Sequence, residues 1–221
     1  MTSSLPESHF AGNRNIVLDR APNRCYDLRN MRTLLFLLAL PLAAVEKPSD
    51  LDRQRLIAHF EMTESWLVDE VRHLSPAQLA FRPAPGTFSV LDCVQHLNLS
   101  EPGYWKTYQK EIKNKASKDE SPSEDIDRLW YGIDRTEHAK TPPPQVPNLK
   151  SADLAPVLNE FRALRKTMLD YIRTTQEDWR HHMVPGWERD SYQWLLMISA
   201  HSQRHILQLR EVKHHPNFPK N

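Results

Sequence analysis

Apolar residues recur at three- and four-residue intervals in four long stretches of the chain, which is the period of an α-helix. The first stretch begins at Ser49 or Asp50, either of which can cap a helix. It ends at Ser75-Pro76, because proline cannot continue the helical hydrogen-bond ladder. Its apolar stripe consists of Leu51, Leu56, Ile57, Phe60, Leu67, Val71 and Leu74. The pattern predicts a first amphipathic helix, followed by a loop that reaches Thr87.

The second stretch opens with Ser89 and has Asp92 three positions later, which is the arrangement of a helix N-cap with its capping box. The predicted helix continues through residues 93–99. Glu101-Pro102-Gly103 then predicts an interruption, in the form of a kink, because proline lacks the donor of the helical ladder. The apolar pattern resumes after it with Tyr104, Trp105, Tyr108 and Ile112.

The third helix is predicted from Ser151 and the fourth from Asp190 or Ser191 to Val212. Residues 116–150 link the second helix to the third and contain a short predicted helix over 124–135. Antiparallel neighbours in a bundle need only a few connecting residues, so a link of this length can cross the bundle and return the chain in the same direction. The sequence therefore predicts an all-α, four-helix bundle with a long crossover, in which helices two and three run parallel.

Composition excludes some classes of function. The chain has 29 Lys and Arg against 28 Asp and Glu, a formal net charge of +1. A nucleic-acid binder would show a clustered excess of positive charge, and none is present. Five Gly against 17 Pro argue against a β-rich fold with glycine turns. Of the two cysteines, Cys25 precedes the predicted bundle, so Cys93 is predicted to be unpaired.

The N-terminal 45 residues do not follow the helical pattern of the bundle. Residues 1–30 have no sustained apolar period, and Met31-Arg32 precede an uncharged run of 13 residues, 33–45. This run is too short to span a bilayer, and it has the layout of a secretory signal peptide. We expect Met31 to be the true start, 1–30 to be an untranslated or disordered extension, and the protein to be exported to the periplasm or outside the cell. The alternative is a disordered tail and a packed apolar helix in a cytoplasmic protein.

Three histidines form a candidate metal site. His201 and His205 are four residues apart on the fourth predicted helix, so both side chains lie on the same face. Ile198 and Leu209 fall near that face, which predicts that the imidazoles point inward. Two converging imidazoles suit a divalent metal ion when another element supplies a third ligand, and His96 on the second helix is a candidate. Core histidines in a metal-free bundle are the alternative.

These motifs together resemble the DinB/YfiT-like superfamily of metalloenzymes. The resemblance is carried by Phe88-Ser89-Val90-Leu91 with His96-Leu97 in one helix, by the long crossover, and by the run from His201 to His205; it covers about residues 50–219. It implies an up-down-down-up bundle and a divalent ion, most often nickel or zinc, held by three histidines. In this sequence those positions are His96, His201 and His205.

A site of three imidazoles leaves at least one position open for water or substrate, as catalytic metal sites do. Ser202 occupies the position where zinc proteases with His-Glu-x-x-His carry their glutamate, so spacing identifies no general base. Asp92 and Ser100 share a helix face with His96 and are candidates to orient its ring, although for Asp92 a role at the start of the helix is the favoured interpretation. Arg204 is expected at the surface, with contact to an anionic substrate as the alternative.

The resemblance implies a metal-dependent hydrolase or a thiol transferase acting on an unknown small molecule. Export would weaken the thiol-transferase interpretation, because the low-molecular-weight thiols concerned are cytosolic. The alternative function is a non-enzymatic, metal-binding helical module. We expect no nucleic-acid partner and no stable membrane insertion, and a homodimer is left open.

Overall fold

The computed structural model describes residues 47–117, 121–137, 140–148 and 153–220. The predicted extension 1–30 and the predicted signal peptide 31–45 lie outside the described residues, as does Cys25, and they stay predictions. In the described part, no helix is both long and apolar enough to cross a membrane.

The four long predicted helices are all present in the described ranges, together with two short ones. The α-helices are α1 (Asp50–Val71), α2 (Pro76–Ala80), α3 (Val90–Glu111), α4 (Asp125–Ile133), α5 (Leu154–Thr174) and α6 (Ser191–Lys213). A single 3-10 turn lies at Pro143–Gln145 in the crossover. Before α6, β1 (Met183–Val184) pairs antiparallel with β2 (Arg189–Asp190) in a two-residue ribbon. The fold class is therefore all-α, as predicted.

The helix starts follow the capping residues. The Ser49 hydroxyl accepts a hydrogen bond from the Asp52 amide at 3.0 Å and begins α1. Ser89 and Asp92 form a complete capping box, in which each side chain accepts a hydrogen bond from the other's amide. Helix α5 begins after Asp153 rather than at the predicted Ser151, because the Asp153 carboxylate accepts from the amide of Ala155.

Helix α3 is not broken at Pro102, because it continues from Val90 to Glu111 with the proline inside it, and the kink predicted there stays a prediction. Pro102 removes one hydrogen bond, the one that its nitrogen would have donated to the carbonyl of residue 98. Buried contacts on both sides of the proline retain the helical path. Glu101 lies in a fully buried ion pair with Arg165, and Trp105 packs into the apolar core. Tertiary packing thus outweighs the local preference of the Pro-Gly pair.

Contacts along the bundle show that α1 and α6 run in the same direction. His59 lies near the middle of α1, and its Nδ1 is 2.7 Å from the Ser199 hydroxyl in the first half of α6. Glu70, at the end of α1, accepts a hydrogen bond at 2.6 Å from Lys213 at the end of α6. The order of contacts is the same along both helices, which requires them to be parallel.

The same argument shows that α3 and α5 are parallel. Asn98, early in α3, donates to the carbonyl of Val157 early in α5 at 2.8 Å. Tyr108, late in α3, donates to the hydroxyl of Tyr171 late in α5, also at 2.8 Å. The long crossover thus returns the chain in the same direction, as its length predicted.

The two pairs of helices run in opposite directions. Trp194, at the start of α6, donates to the carbonyl of Tyr104 in the second half of α3 at 2.9 Å. His96, near the start of α3, lies against His205 in the second half of α6, with ring centroids 4.4 Å apart. Helices α3 and α6 are therefore antiparallel, and the bundle is up-down-down-up, as predicted.

A buried polar layer divides the core into two apolar clusters. Each long helix carries at least one buried polar residue between an apolar residue of the first cluster and one of the second. The four triplets, in helix order, are Phe60-Thr63-Leu67, Trp105-Glu101-Leu97, Met168-Arg165-Phe161 and Ile198-Ser202-Ile206. His201 lies beside this layer, so the candidate ligands occupy the same level of the bundle.

Helix α4 packs directly against α6 and forms one wall beside the candidate ligands. Gly132 permits the close approach, because a Cβ atom there would lie 2.9 Å from the carbonyl oxygen of Ala200. The neighbouring Tyr131 and Arg135 are thereby brought to the edge of the histidine cluster.

Candidate metal centre

The structure brings the three predicted histidines together. His96 comes from α3, and His201 and His205 come from successive turns of the antiparallel α6. The Nε2 atom of His201 is 3.3 Å from Nε2 of His96 and 3.1 Å from Nε2 of His205. Within the described residues, these three form a group whose ligand atoms all lie within 4.8 Å of one another. The three residues are 4%, 3% and 9% exposed, so water competes little with their mutual contacts.

Two of the imidazoles have a partner that determines which nitrogen carries the proton. Nδ1 of His96 is 2.9 Å from the carbonyl oxygen of Gln145, and Nδ1 of His205 is 2.8 Å from the side-chain oxygen of Gln208. A carbonyl oxygen only accepts hydrogen bonds, so both Nδ1 atoms donate. The Nε2 atoms of His96 and His205 therefore present lone pairs to the centre of the cluster.

His201 has no such partner. Among the described residues, none accepts a hydrogen bond from its buried Nδ1, and the closest carboxylate oxygen, Glu101 Oε1, is 3.9 Å away. With the proton on Nδ1, three lone pairs converge. With the proton on Nε2, one proton faces two acceptors while the Nδ1 lone pair faces a carboxylate. Both tautomers leave unfavourable contacts, whereas a divalent cation satisfies all three Nε2 atoms, so the donor set fits such an ion.

Burial keeps the three imidazoles neutral. It lowers the pKa of His201 well below the ordinary value, and the neighbouring His96 lowers it further. Burial does the same to the pKa of His205, with His201 as the second cause. The pKa of His96 is also lowered by burial, although the Gln145 carbonyl opposes the shift. Metal ligation requires the neutral form, so the site is ready for a cation near pH 7.

A cavity of about 170 Å³ opens beside the three Nε2 atoms. Phe88, Tyr104 and Tyr131 supply aromatic walls, and the remaining lining includes Arg135, Lys140 and Arg204. No Asp or Glu is among the described residues that line it. The cavity therefore gives a small molecule access to the cluster from a side that carries positive charge.

The cations of this wall differ in how they are held. Arg204 donates to the backbone carbonyls of Tyr131, Asp134 and Glu137, which hold a fixed positive charge at the cavity. Arg135 is paired with Glu211 at 2.9 Å, which largely neutralises it. Lys140 is exposed and has no ion pair among the described residues.

A buried charged network adjoins His201. Arg165 donates to both oxygens of Glu101, at 2.7 and 2.8 Å, and the Ser202 hydroxyl donates to Oε1 at 2.5 Å. Glu101 and Arg165 are both fully buried, and the guanidinium lies over the rings of Phe60 and Phe161. Burial raises the pKa of Glu101, and the attraction of Arg165 opposes that increase.

A family model described as the DinB superfamily matches residues 50–209. The chain belongs to the DinB superfamily. A similar solved structure is that of YfiT from Bacillus subtilis, described as a probable metal-dependent hydrolase with an unusual four-helix bundle topology. The TM-score is 0.53 at 18% sequence identity, over 79% of this chain and 93% of that chain. At this identity the likeness shows the fold alone. No curated protein sequence matches the chain.

In this DinB-superfamily chain, neither candidate for orienting His96 has that role, and Asp92 lies in the capping box at the start of its helix, as favoured from the sequence. Asp92 completes the capping box of α3 and forms an ion pair with Arg82. The Ser100 hydroxyl donates to the backbone carbonyl of His96 at 2.7 Å, as serines inside helices commonly do to the residue four positions before. Neither side chain contacts the imidazole. Gln145 holds the ring instead, and its backbone carbonyl carries no sequence signal.

Proposed function

We propose that this DinB-superfamily protein is a metal-dependent enzyme in which His96, His201 and His205 bind a divalent ion, nickel or zinc. The observation that supports this most directly is the convergence of three buried Nε2 atoms, with that of His201 3.1–3.3 Å from the other two, without enough protons to satisfy them. The proposed activity is that of a hydrolase or a thiol transferase on a small molecule. The hydrolase interpretation agrees with the description of YfiT.

The cavity favours an enzyme over a metal-binding module without activity. Structural zinc sites are normally closed by four protein ligands. In the described part of the chain, no thiol or carboxylate joins the three histidines as a fourth ligand. A bound divalent ion would supply Lewis acidity, either by polarising a substrate carbonyl or by lowering the pKa of a water molecule. The chain itself contributes a buried ligand set and an adjoining cavity.

The charge of the cavity wall supports a substrate that carries a negative charge. Arg204 and Lys140 line the cavity with no carboxylate beside them in the lining. Their field adds to that of a divalent ion, so a carboxylate or a similar anion would be attracted to the same space. The aromatic side chains at positions 88, 104 and 131 would contact the uncharged part of such a molecule.

Metal analysis of the full-length protein, purified without chelators and offered nickel or zinc, tests the proposal. We expect about one divalent ion per chain in the wild type, as for a single three-histidine site, and none in His201→Ala. His73→Ala is the matched control, because His73 is exposed and does not belong to the group of histidines whose ligand atoms converge, and it should retain the ion. A wild-type protein that holds no stoichiometric metal after this treatment would refute the proposal.

Substitution of cobalt for the bound ion distinguishes an enzyme from a metal-binding module without activity. Cobalt in an open site should change its visible spectrum when azide is added, because azide takes an available coordination position. A closed site should show no change. An unchanged spectrum would therefore contradict the proposal of an enzyme and favour the non-enzymatic metal-binding module.

A further inference from the structure

The three candidate ligands are not held alike. His96 and His205 each donate from Nδ1 to a neutral oxygen, at 2.9 and 2.8 Å. His201 lies between them and touches both through Nε2, yet its Nδ1 has no hydrogen-bond acceptor among the described residues. The central ligand is thus the one whose orientation is unexplained.

Glu101 is placed to supply the missing acceptor. Its Oε1 is 3.9 Å from Nδ1 of His201, about 1 Å longer than an ordinary hydrogen bond. Arg165 and Ser202 hold the carboxylate in place from other directions, so Glu101 itself has little freedom to move. A small rotation of the imidazole is enough to close a gap of this size.

The ion pair of Glu101 and Arg165 also needs an explanation. Transferring two charges into a protein interior is costly, and well-packed apolar residues often stabilise a fold as well or better. This pair is fully buried, and the layer that contains it separates two apolar clusters that could otherwise have been continuous. The burial of the Glu101–Arg165 pair beside His201 is explained if the pair acts on that histidine.

We infer that Glu101 is a positioning residue of the metal centre, whose carboxylate accepts the Nδ1 proton of His201 and directs the Nε2 lone pair at the ion. Arg165 and Ser202 hold that carboxylate, and Arg165 favours its ionised form. A charged acceptor makes the imidazole a stronger ligand than a neutral oxygen does. The inference rests on the proposed metal site.

The experiment compares metal affinity, measured by competition with a chromophoric chelator, in the wild type and in Glu101→Gln. We expect the zinc Kd to rise about 10- to 100-fold, the usual effect of removing such a partner. Glu111→Gln is the matched control, because Glu111 is a buried carboxylate on the same helix that pairs with Lys110 and has no contact with the histidines. It should keep the wild-type Kd.

Glu101→Gln leaves Arg165 buried without its counter-ion and could unfold the protein. A second variant tests the inference without this effect. Glu101→Leu with Arg165→Met removes both charges, and it should fold while showing a comparable rise in the zinc Kd. Nitrogen-15 NMR of the zinc-loaded wild type should show a slowly exchanging Nδ1 proton on His201, and the double variant should lose that protection.

If the folded double variant kept the wild-type zinc affinity and an unchanged Nδ1 resonance of His201, the role inferred for Glu101 would be refuted, and the proposed metal site would stand. Absence of metal binding in the wild type, measured in the same series, would instead overturn the proposed function and the inference with it.

Discussion

Two of the polar clusters in this bundle, one around Arg180 and the other formed by the three histidines, differ in whether their own residues satisfy their hydrogen bonds. Arg180 donates to both oxygens of Asp52 at 2.9–3.0 Å and to both oxygens of Asp125 at 2.8–2.9 Å, with Asp190 at 3.2 Å. In the histidine cluster, by contrast, Nε2 of His201 lies 3.3 and 3.1 Å from Nε2 of His96 and of His205, and neither tautomer of His201 satisfies all of these atoms. Both clusters join distant parts of the chain, but only the first is complete without a ligand.

The difference indicates what each cluster is for. Arg180 connects the first turns of α1 and α4 to the residue that caps α6, and its guanidinium lies 3.8 Å from the centre of the Tyr192 ring. Each nitrogen of the guanidinium has carboxylate acceptors there, so the chain's own residues satisfy its donors and folding accounts for the cluster. The histidines have acceptors in excess, and an excess of buried acceptors predicts a cation. Polar satisfaction therefore separates a structural cluster from a candidate binding site.

The largest effect on stability is expected from breaking the Arg180 cluster. Arg180→Met leaves three carboxylates without their common partner, and we expect the free energy of unfolding to fall by about 3 kcal/mol, the lower end for buried pairs. The lower end applies because the Arg180 side chain is 34% exposed. Urea unfolding of chelator-treated protein measures this. Zinc affinity should stay at the wild-type value, and a loss of affinity in proportion to stability would mean that the two clusters are not independent.

A smaller effect on stability is expected from protonating the histidine cluster. In the metal-free protein, His201 and His205 have pKa values well below the ordinary 6.5. Below pH 6.5 the unfolded chain therefore binds more protons than the folded one, and stability falls as the pH falls, by up to about 1.4 kcal/mol per pH unit for each histidine. Urea unfolding at pH 7.5, 6.5 and 5.5 checks this.

The double variant His201→Ala with His205→Ala isolates these two groups from all others that titrate in the same range. Its stability should depend less steeply on pH between 6.5 and 5.5 than that of the metal-free wild type. Equal slopes for the two proteins would show that the histidines titrate normally in the folded state.

The smallest effect is expected at the cavity wall. Lys140→Gln removes an exposed charge, and exposed ion pairs contribute less than about 1 kcal/mol, so acetate should bind about threefold more weakly to the cobalt-loaded protein. Spectroscopic titration measures the binding, and uncharged acetamide should be unaffected. Lys106→Gln is the control, since Lys106 is exposed on α3 and does not line the cavity. An equal loss for acetamide would contradict a role for charge.

Much of the architecture could be predicted because its signals are local. Capping residues such as Ser49, Ser89 and Asp190 act within three positions, so they mark helix starts in the sequence itself. The length of the crossover indicated that α3 and α5 run parallel. The spacing of His201 and His205 placed both on one face of α6, and the resemblance pointed to His96 as their partner. The structure places these three imidazoles in contact.

What the sequence could not provide are contacts between residues that are far apart along the chain. Gln145 lies 49 positions from His96, and its contribution is a backbone oxygen that any residue would carry. Glu101 and Arg165 are 64 positions apart, and no periodicity connects them. Helix α3 continues through Pro102 against a local rule, because buried contacts lie on both sides of the proline.

The sequence by itself determined the helices, their order and the one-face spacing of the histidine pair, because those properties depend on neighbours three or four residues away. Only the tertiary structure decided how the ring of His96 is held, because its acceptor is the backbone carbonyl of Gln145 in the crossover, whereas the acceptor of His205 is Gln208 on the same helix. It also decided that Glu101 lies buried beside His201. Packing sets such contacts once the four helices have assembled.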